Sequence, residues 1–189
     1  MQKILLASAL VAAFGAAQAA PVAYNIDPTH TFVNFEAVHF GTSTLRGRFD
    51  KKEGSVSFDK ESKTGSADIT IDIGSISTGV AALDTHLKSP DFFNAVQFGT
   101  ARFVGDKFTF TGDKVSEISG NLTLLGKTNP VVLKATNFNC YMSPILKREV
   151  CGGDFTTTLV RSLYGMSYGL QYGLPDNIGL LIQIEAIKQ

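Results

Sequence analysis

Three histidines, two cysteines and one arginine at a strand end are the residues of this 189-residue chain whose types and positions could do chemistry. His30 follows the turn signal Asp27-Pro28-Thr29, and His39 is on the opposite parity of the chain, so the two do not share a strand face. His86 lies two residues from Asp84, which on a helix turns the pair about 200° apart and leaves no acid–base couple on one face. G-x-S-x-G, H-E-x-x-H, C-x-x-C and a glycine-rich phosphate loop are absent, and the histidines do not make a metal-ligand set. No catalytic residue, metal ligand or cofactor is therefore assigned. Arg161, in Leu159-Val160-Arg161-Ser162, has two roles open to it: pairing with an acid such as Asp84, or meeting a polar ligand head group.

Cys140 and Cys151 are the only cysteines. They read as a disulfide worth roughly 3 kcal/mol, pinning a long loop from Tyr141 to Gly153. An oxidising compartment is implied by the first 19 residues. Lys3 gives a positive start, Ile4 to Phe14 an apolar run too short to span a bilayer, and Ala17-Gln18-Ala19 a cleavage site. The expected mature chain is residues 20–189, one domain, exported to the periplasm. Lys+Arg and Asp+Glu are both 17. Removing Lys3 leaves 16 against 17, a balance that attracts neither nucleic acid nor an anionic membrane by bulk charge. No later run of about 18 apolar residues suggests a membrane span.

These groups must be positioned mostly by strands. Ser66 to Ile73 alternates strictly, with Ala67, Ile69, Ile71 and Ile73 facing one way and Ser66, Asp68, Thr70 and Asp72 the other. Thr31 to Phe40 puts Val33, Phe35, Ala37 and His39 on one face. Thr44 to Asp50 and Ser55 to Asp59, with Phe49 and Phe58 inward, flank the charged stretch Asp50 to Gly54 and read as a hairpin. Thr100 to Val104, Lys107 to Thr111, Ser116 to Leu125 and Pro130 to Asn139 read as four further strands separated by glycine turns, and Phe155 to Arg161 and Asn177 to Lys188 as the last two. One stretch departs from this period. From Ser75 to Phe98, Val80, Leu83 and Leu87 fall on one helical face, with Thr78 as the expected cap, Pro90 as the stop and Asp91 capping a turn that bears Phe92 and Phe93.

The expectation is an all-β fold: an antiparallel, roughly eight-stranded barrel with one short helical insertion at about residues 79–94. A barrel of that size either fills itself with side chains or holds one small ligand. Fourteen phenylalanines and no tryptophan favour a rigid apolar wall, with Phe35, Phe49, Phe58 and Phe103 inward. The helical stretch either closes one end of the core or gates a cavity.

Several motifs in order resemble the YceI-like family. They are Tyr24-x-Ile26-Asp27-Pro28-x-His30-Thr31, His39-x-Gly41-x-Ser43 with Gly47-x-Phe49, and Thr78 with Asp84-x-His86-Leu87-Lys88-Ser89 and Asp91-Phe92-Phe93. Gly120-x-Leu122-Thr123-x-x-Gly126-x-Thr128-x-Pro130-Val131 and Arg161-x-x-Tyr164-Gly165-Met166 follow. The resemblance covers nearly all of residues 20–189. Gly99-Thr100 departs from it, since members often carry a proline there. It implies a lipocalin-like barrel whose apolar interior takes an isoprenoid chain, with the helix near the open end and no established enzymatic step. Expected ligand contacts are Phe35, Phe49, Phe58, Phe103, Ile69 and Ile71 on the walls. Leu122 joins them, with Leu83, Leu87, Phe92 and Phe93 at the gate and Arg161 near the head group. The leading reading is a periplasmic carrier for a polyprenyl phosphate or an isoprenoid quinone, with transient membrane contact and oligomeric state left open. The alternatives are an enzyme acting on such a lipid through His86, Asp84 or His30, and a structural barrel acting through protein partners.

Overall fold

The structure is a computed structural model that describes residues 22–189; the export segment and its cleavage site after Ala19 lie outside the described residues. Eleven strand segments run in chain order as β1 (Val22–Ile26), β2 (Phe32–His39), β3 (Ser43–Phe49), β4 (Lys52–Asp59), β5 (Thr64–Asp72) and β6 (Ile76–Ser77). A helix, α1 (Ala81–Lys88), precedes β7 (Thr100–Thr111), β8 (Lys114–Leu124), β9 (Lys127–Met142), β10 (Glu149–Val160) and β11 (Asn177–Lys188). Among the described residues no helix is long and apolar enough to cross a membrane.

These segments make eight barrel staves, each antiparallel to its neighbours. β1 and β2 line up along one edge of β11, Tyr24 to Ile26 opposite Ala186 to Lys188 and Phe32 to Glu36 opposite Gly179 to Gln183. β4 pairs with β1 while β3 pairs with β2, and β5 pairs with β4 while β6 pairs with β3. Each of these three staves is therefore one strand interrupted near its middle. From β5 onward the chain meanders through β7, β8, β9 and β10 to β11, whose free edge closes on the first stave. Closure pairs most strand edges within the chain, the edge of β3 before Arg48 being an exception, so the interior can be carbon.

Four sequence expectations are corrected here. The stretch Asp50 to Gly54 is a step within one stave and not a hairpin turn, because β3 and β4 do not pair. None of Asp50 to Glu53 takes a positive φ, whereas the true reversals do so at Phe40, Lys63, Gly112 and Leu125. Lys52 is buried there with its Nζ 4.9 Å from the Phe32 ring centroid. Second, Gly105-Asp106 does not separate two strands: β7 is continuous, and its ladder with β8 skips from Gly105 to Lys107. That bulge brings Phe103 and Phe108, of opposite parity, to the same buried face. Third, Tyr141 to Gly153 is not a long loop. Cys140 and Cys151 are disulfide-bonded and face each other in the β9–β10 ladder, which continues through Tyr141 with Val150 and Met142 with Glu149. Fourth, β1 has no counterpart among the strands expected from the sequence.

Between β1 and β2 the chain turns around Asp27, whose carboxylate accepts from Thr29 N (2.9 Å), Thr29 Oγ1 (2.6 Å) and His30 Nδ1 (2.8 Å). Partial burial pushes this carboxyl up, but the bonds from Thr29 and His30 outweigh it and bring the pKa down to about 2. A folded value below the unfolded one of about 3.9 means the stabilisation is present above about pH 4 and is lost as pH falls toward 2. Asp27→Asn should accordingly lower the denaturation midpoint at pH 7 and make little difference at pH 2, and the same deficit at both values would contradict this account.

The alternation read in β5 holds: Ala67 and Ile69 are buried, whereas Asp68 faces outward and takes a two-pronged contact from Arg102, at 2.8 and 2.5 Å. Ile69→Lys should lower stability by more than about 3 kcal/mol, because it leaves an ammonium unpaired among carbon atoms. Asp68→Lys loses only an exposed ion pair and should cost about 1 kcal/mol or less. Urea midpoints of the two variants make the comparison.

Candidate functional site

The barrel interior is not filled. A chamber of about 440 Å³ occupies the end carrying α1 and the long loop 161–176 between β10 and β11. A smaller one of about 110 Å³ lies toward the end carrying the disulfide. Val33, Ile71, Leu122 and Leu180 border both and form the waist between them. Among the described residues no charged side chain borders the lower chamber. The upper one reaches solvent between the β2–β3 turn and the 161–176 loop, where Phe40 is 52% exposed and Tyr172 70%.

Strand period delivers the wall. Phe35 and Phe49 come from adjacent staves with ring centroids 5.8 Å apart. Gly47, opposite Phe35, leaves room for that ring, since a Cβ there would stand 2.3 Å from it. Ile71 and Leu122 join them at the waist, and Phe58, Ile69 and Phe103 line the lower chamber.

α1 lies across one side of the upper chamber. Leu83, Leu87, Phe92 and Phe93 all border it, and Phe93 meets Phe49 edge-on at 5.6 Å. Val80, expected on the same apolar face, is 56% exposed and packs on nothing comparable. The capping expectation is also reversed. Thr78 is not the N-cap; its backbone N and Oγ1 both donate to Asp84 Oδ1, at 2.7 and 2.6 Å, so a side chain of the helix holds the strand end. Those bonds keep the Asp84 carboxyl below its ordinary pKa. After Pro90 the chain folds back, and the amides of Phe93 and Ala95 bond the carbonyls of Leu87 and Lys88.

The other side of the mouth is the 161–176 loop. Tyr164-Gly165, Tyr168-Gly169 and Tyr172-Gly173 recur every four residues, each glycine at a positive φ of 87°, 77° or 93°, where a side chain would be strained. All three tyrosines border the upper chamber. Ser162 anchors the loop's base by donating from N (2.9 Å) and Oγ (2.7 Å) to Asp176, whose carboxyl is held below its ordinary pKa by these bonds. Arg161 is buried beneath it, donating from Nε to Pro175 O (2.8 Å) and from Nη1 to Met166 O (3.0 Å).

All twelve side chains expected at a ligand site from the sequence therefore border one or both chambers. The expected acid–base groups do not converge. Asp84 is engaged by Thr78, His30 sits at the Asp27 turn, and His86, which does border the chamber, meets Asp91 Oδ2 at 3.1 Å. Asp91 thus pairs with His86 in place of the capping role expected of it. The tyrosines of the mouth were missed, although their Tyr-Gly repeat was visible in the sequence.

A closed up-and-down barrel with a carbon-lined interior, open at one end beside a short helix, defines a lipocalin-like barrel protein. More particularly, the chain belongs to the YceI-like family, whose domain profile matches residues 24–186. It is 43% identical to a UPF0312 protein of Pseudomonas aeruginosa over the full length of both chains. A Campylobacter jejuni YceI protein of known structure matches with a TM-score of 0.70 and 25% identity, over 80% of this chain and 89% of that one. A structure described as a polyisoprenoid binding domain from Saccharophagus degradans matches in fold, with a TM-score of 0.61 and 14% identity, over 89% of this chain and 99% of that one.

The Thr78–Asp84 bonds tie the helix to the barrel. In Asp84→Ala, amide exchange from residue 78 to residue 88 should accelerate while amides of β8 to β10 keep their protection. Unchanged exchange at the Thr78 amide would remove Asp84 from that role.

Proposed function

We propose that this chain is a periplasmic carrier that holds an isoprenoid lipid, a polyprenyl phosphate or an isoprenoid quinone, by its tail inside the barrel. One observation carries this reading: two largely carbon-lined chambers that follow one another along the barrel and share four wall residues, an arrangement suited to an elongated hydrocarbon. Each five-carbon isoprene unit buried contributes about 4 kcal/mol before ordering costs, so a few units suffice for tight retention. Phe35, Phe49, Ile71 and Leu122 contact the upper tail, and Phe58, Ile69 and Phe103 its end. Leu83, Leu87, Phe92 and Phe93 act as the gate, and Arg161 faces the head. Export follows from residues 1–19. The description of the Saccharophagus domain as polyisoprenoid binding supports the same ligand class.

Native mass spectrometry of protein purified from its own periplasm, with the released lipid identified, tests the assignment: an isoprenoid adduct supports it, and another lipid class in its place defeats it. The gate generates a kinetic expectation. Phe92→Ala with Phe93→Ala should speed release of a bound isoprenoid more than it lowers the unfolding midpoint, because both rings are only partly buried and the staves carry most of the stability. If they act as ordinary core, each truncation costs about 3–5 kcal/mol and the midpoint falls with no selective effect on release.

A further inference from the structure

Arg161 is 5% exposed, and its Nη2 is buried with no acceptor among the described residues, although its Nε and Nη1 are both satisfied by loop carbonyls. A buried cation is ordinarily matched by a carboxylate. None is in ion-pair contact here. Asp176, near enough to act on the guanidinium electrostatically, is taken by Ser162, Asp84 by Thr78 and Asp91 by His86. Arg161 borders the upper chamber, its guanidinium carbon 6.0 Å from the Phe92 ring centroid, so its spare donor is buried within the shell that encloses the cavity.

Tyr164 supplies a second polar group on the same turn. Residues 161–164 form a 3₁₀ turn, in which positions three apart eclipse, so Arg161 and Tyr164 lie on one side of it. Tyr164 is 2% exposed and borders the chamber as well. Burial alone pushes its phenol up, which keeps the hydroxyl protonated and able to donate. Phe92 faces the guanidinium, and Leu159 and Met166 border the same chamber. A single cation and a hydroxyl donor set in an apolar wall, beside a mouth that solvent reaches, suit an anionic oxygen whose remaining oxygens point outward.

Resting on the isoprenoid reading, we infer that Arg161 and Tyr164 bind an anionic oxygen of the lipid head group, so that the cargo is a prenyl phosphate and not a quinone or an alcohol. The head is then held at the mouth and the tail runs through the waist.

Geranylgeranyl phosphate and geranylgeraniol share a tail and differ only in the head, and their dissociation constants for the wild-type chain give the test. The phosphate should bind at least roughly tenfold more tightly, the effect of one charge-assisted contact in a dry site. Arg161→Gln should bring the ratio near one while alcohol affinity stays within about twofold. Since that variant also loses loop hydrogen bonds, Tyr164→Phe is measured beside it and should reduce the ratio with the loop bonds intact. Equal binding of both lipids by the wild type overturns the inference and leaves the carrier reading standing. Failure of both lipids to bind overturns the isoprenoid reading and the inference together.

Discussion

The closed hydrogen-bond ladder is the constraint on which everything else in this molecule depends. An interior left unfilled forfeits contact among the side chains around it, a loss of about 24 cal/mol for each Å³ in cores where it has been measured. A packed core cannot offset such a loss, because here the core is the cavity wall. β11 can, since it pairs with β10 over its whole length on one edge and with β2 and β1 on the other. With most edges paired, the inward side chains are relieved of carrying the fold alone.

The two ends of the barrel are built differently. At the narrow end Tyr24 stacks on Phe58 at 4.9 Å, and Phe58 meets Phe138 edge-on at 5.9 Å. The Tyr24 hydroxyl donates to Glu149, which also meets Lys60 at 3.3 Å and Lys188 at 3.8 Å. Burial and the Glu149 charge push that phenol up to about 12. The disulfide joins β9 and β10 close by. At the wide end the elements are a two-turn helix, short 3₁₀ turns and the three left-handed glycines of the 161–176 loop, held to the staves by the bonds of Thr78 with Asp84 and Ser162 with Asp176. Covalent and aromatic cross-links thus secure one end, whereas a few polar bonds hold the elements of the other.

How much of this was legible in the sequence follows from the range of the interactions. Strict alternation in Ser66 to Ile73 and Asn177 to Lys188 located β5 and β11, because period two on a half-wet sheet is a local signal. Leu83 and Leu87 of α1 were read from helical period, a signal of the same local kind, although Val80 of the same expected face is exposed. Pairing between distant segments leaves no local trace. That β1 continues into β2, and β3 into β4, depends on β11 lying alongside the first stave. The bulge at Asp106 looked like a turn because both use a glycine beside an aspartate. Thr78 passed for a cap because its real partner, Asp84, sits six residues on, a separation that capping patterns do not cover.

The mouth loop has an optical consequence. The chain contains five tyrosines and no tryptophan, so its intrinsic fluorescence arises mainly from tyrosine. Tyr24 and Tyr141 belong to the narrow end, their hydroxyls bonded to Glu149 and Glu185. The other three, Tyr164, Tyr168 and Tyr172, stand in the loop over the chamber. The intrinsic fluorescence of the unlabelled protein is thus weighted toward its own entrance: a molecule crossing the mouth disturbs most of the chromophores, while one lodged below the waist leaves those three as they were.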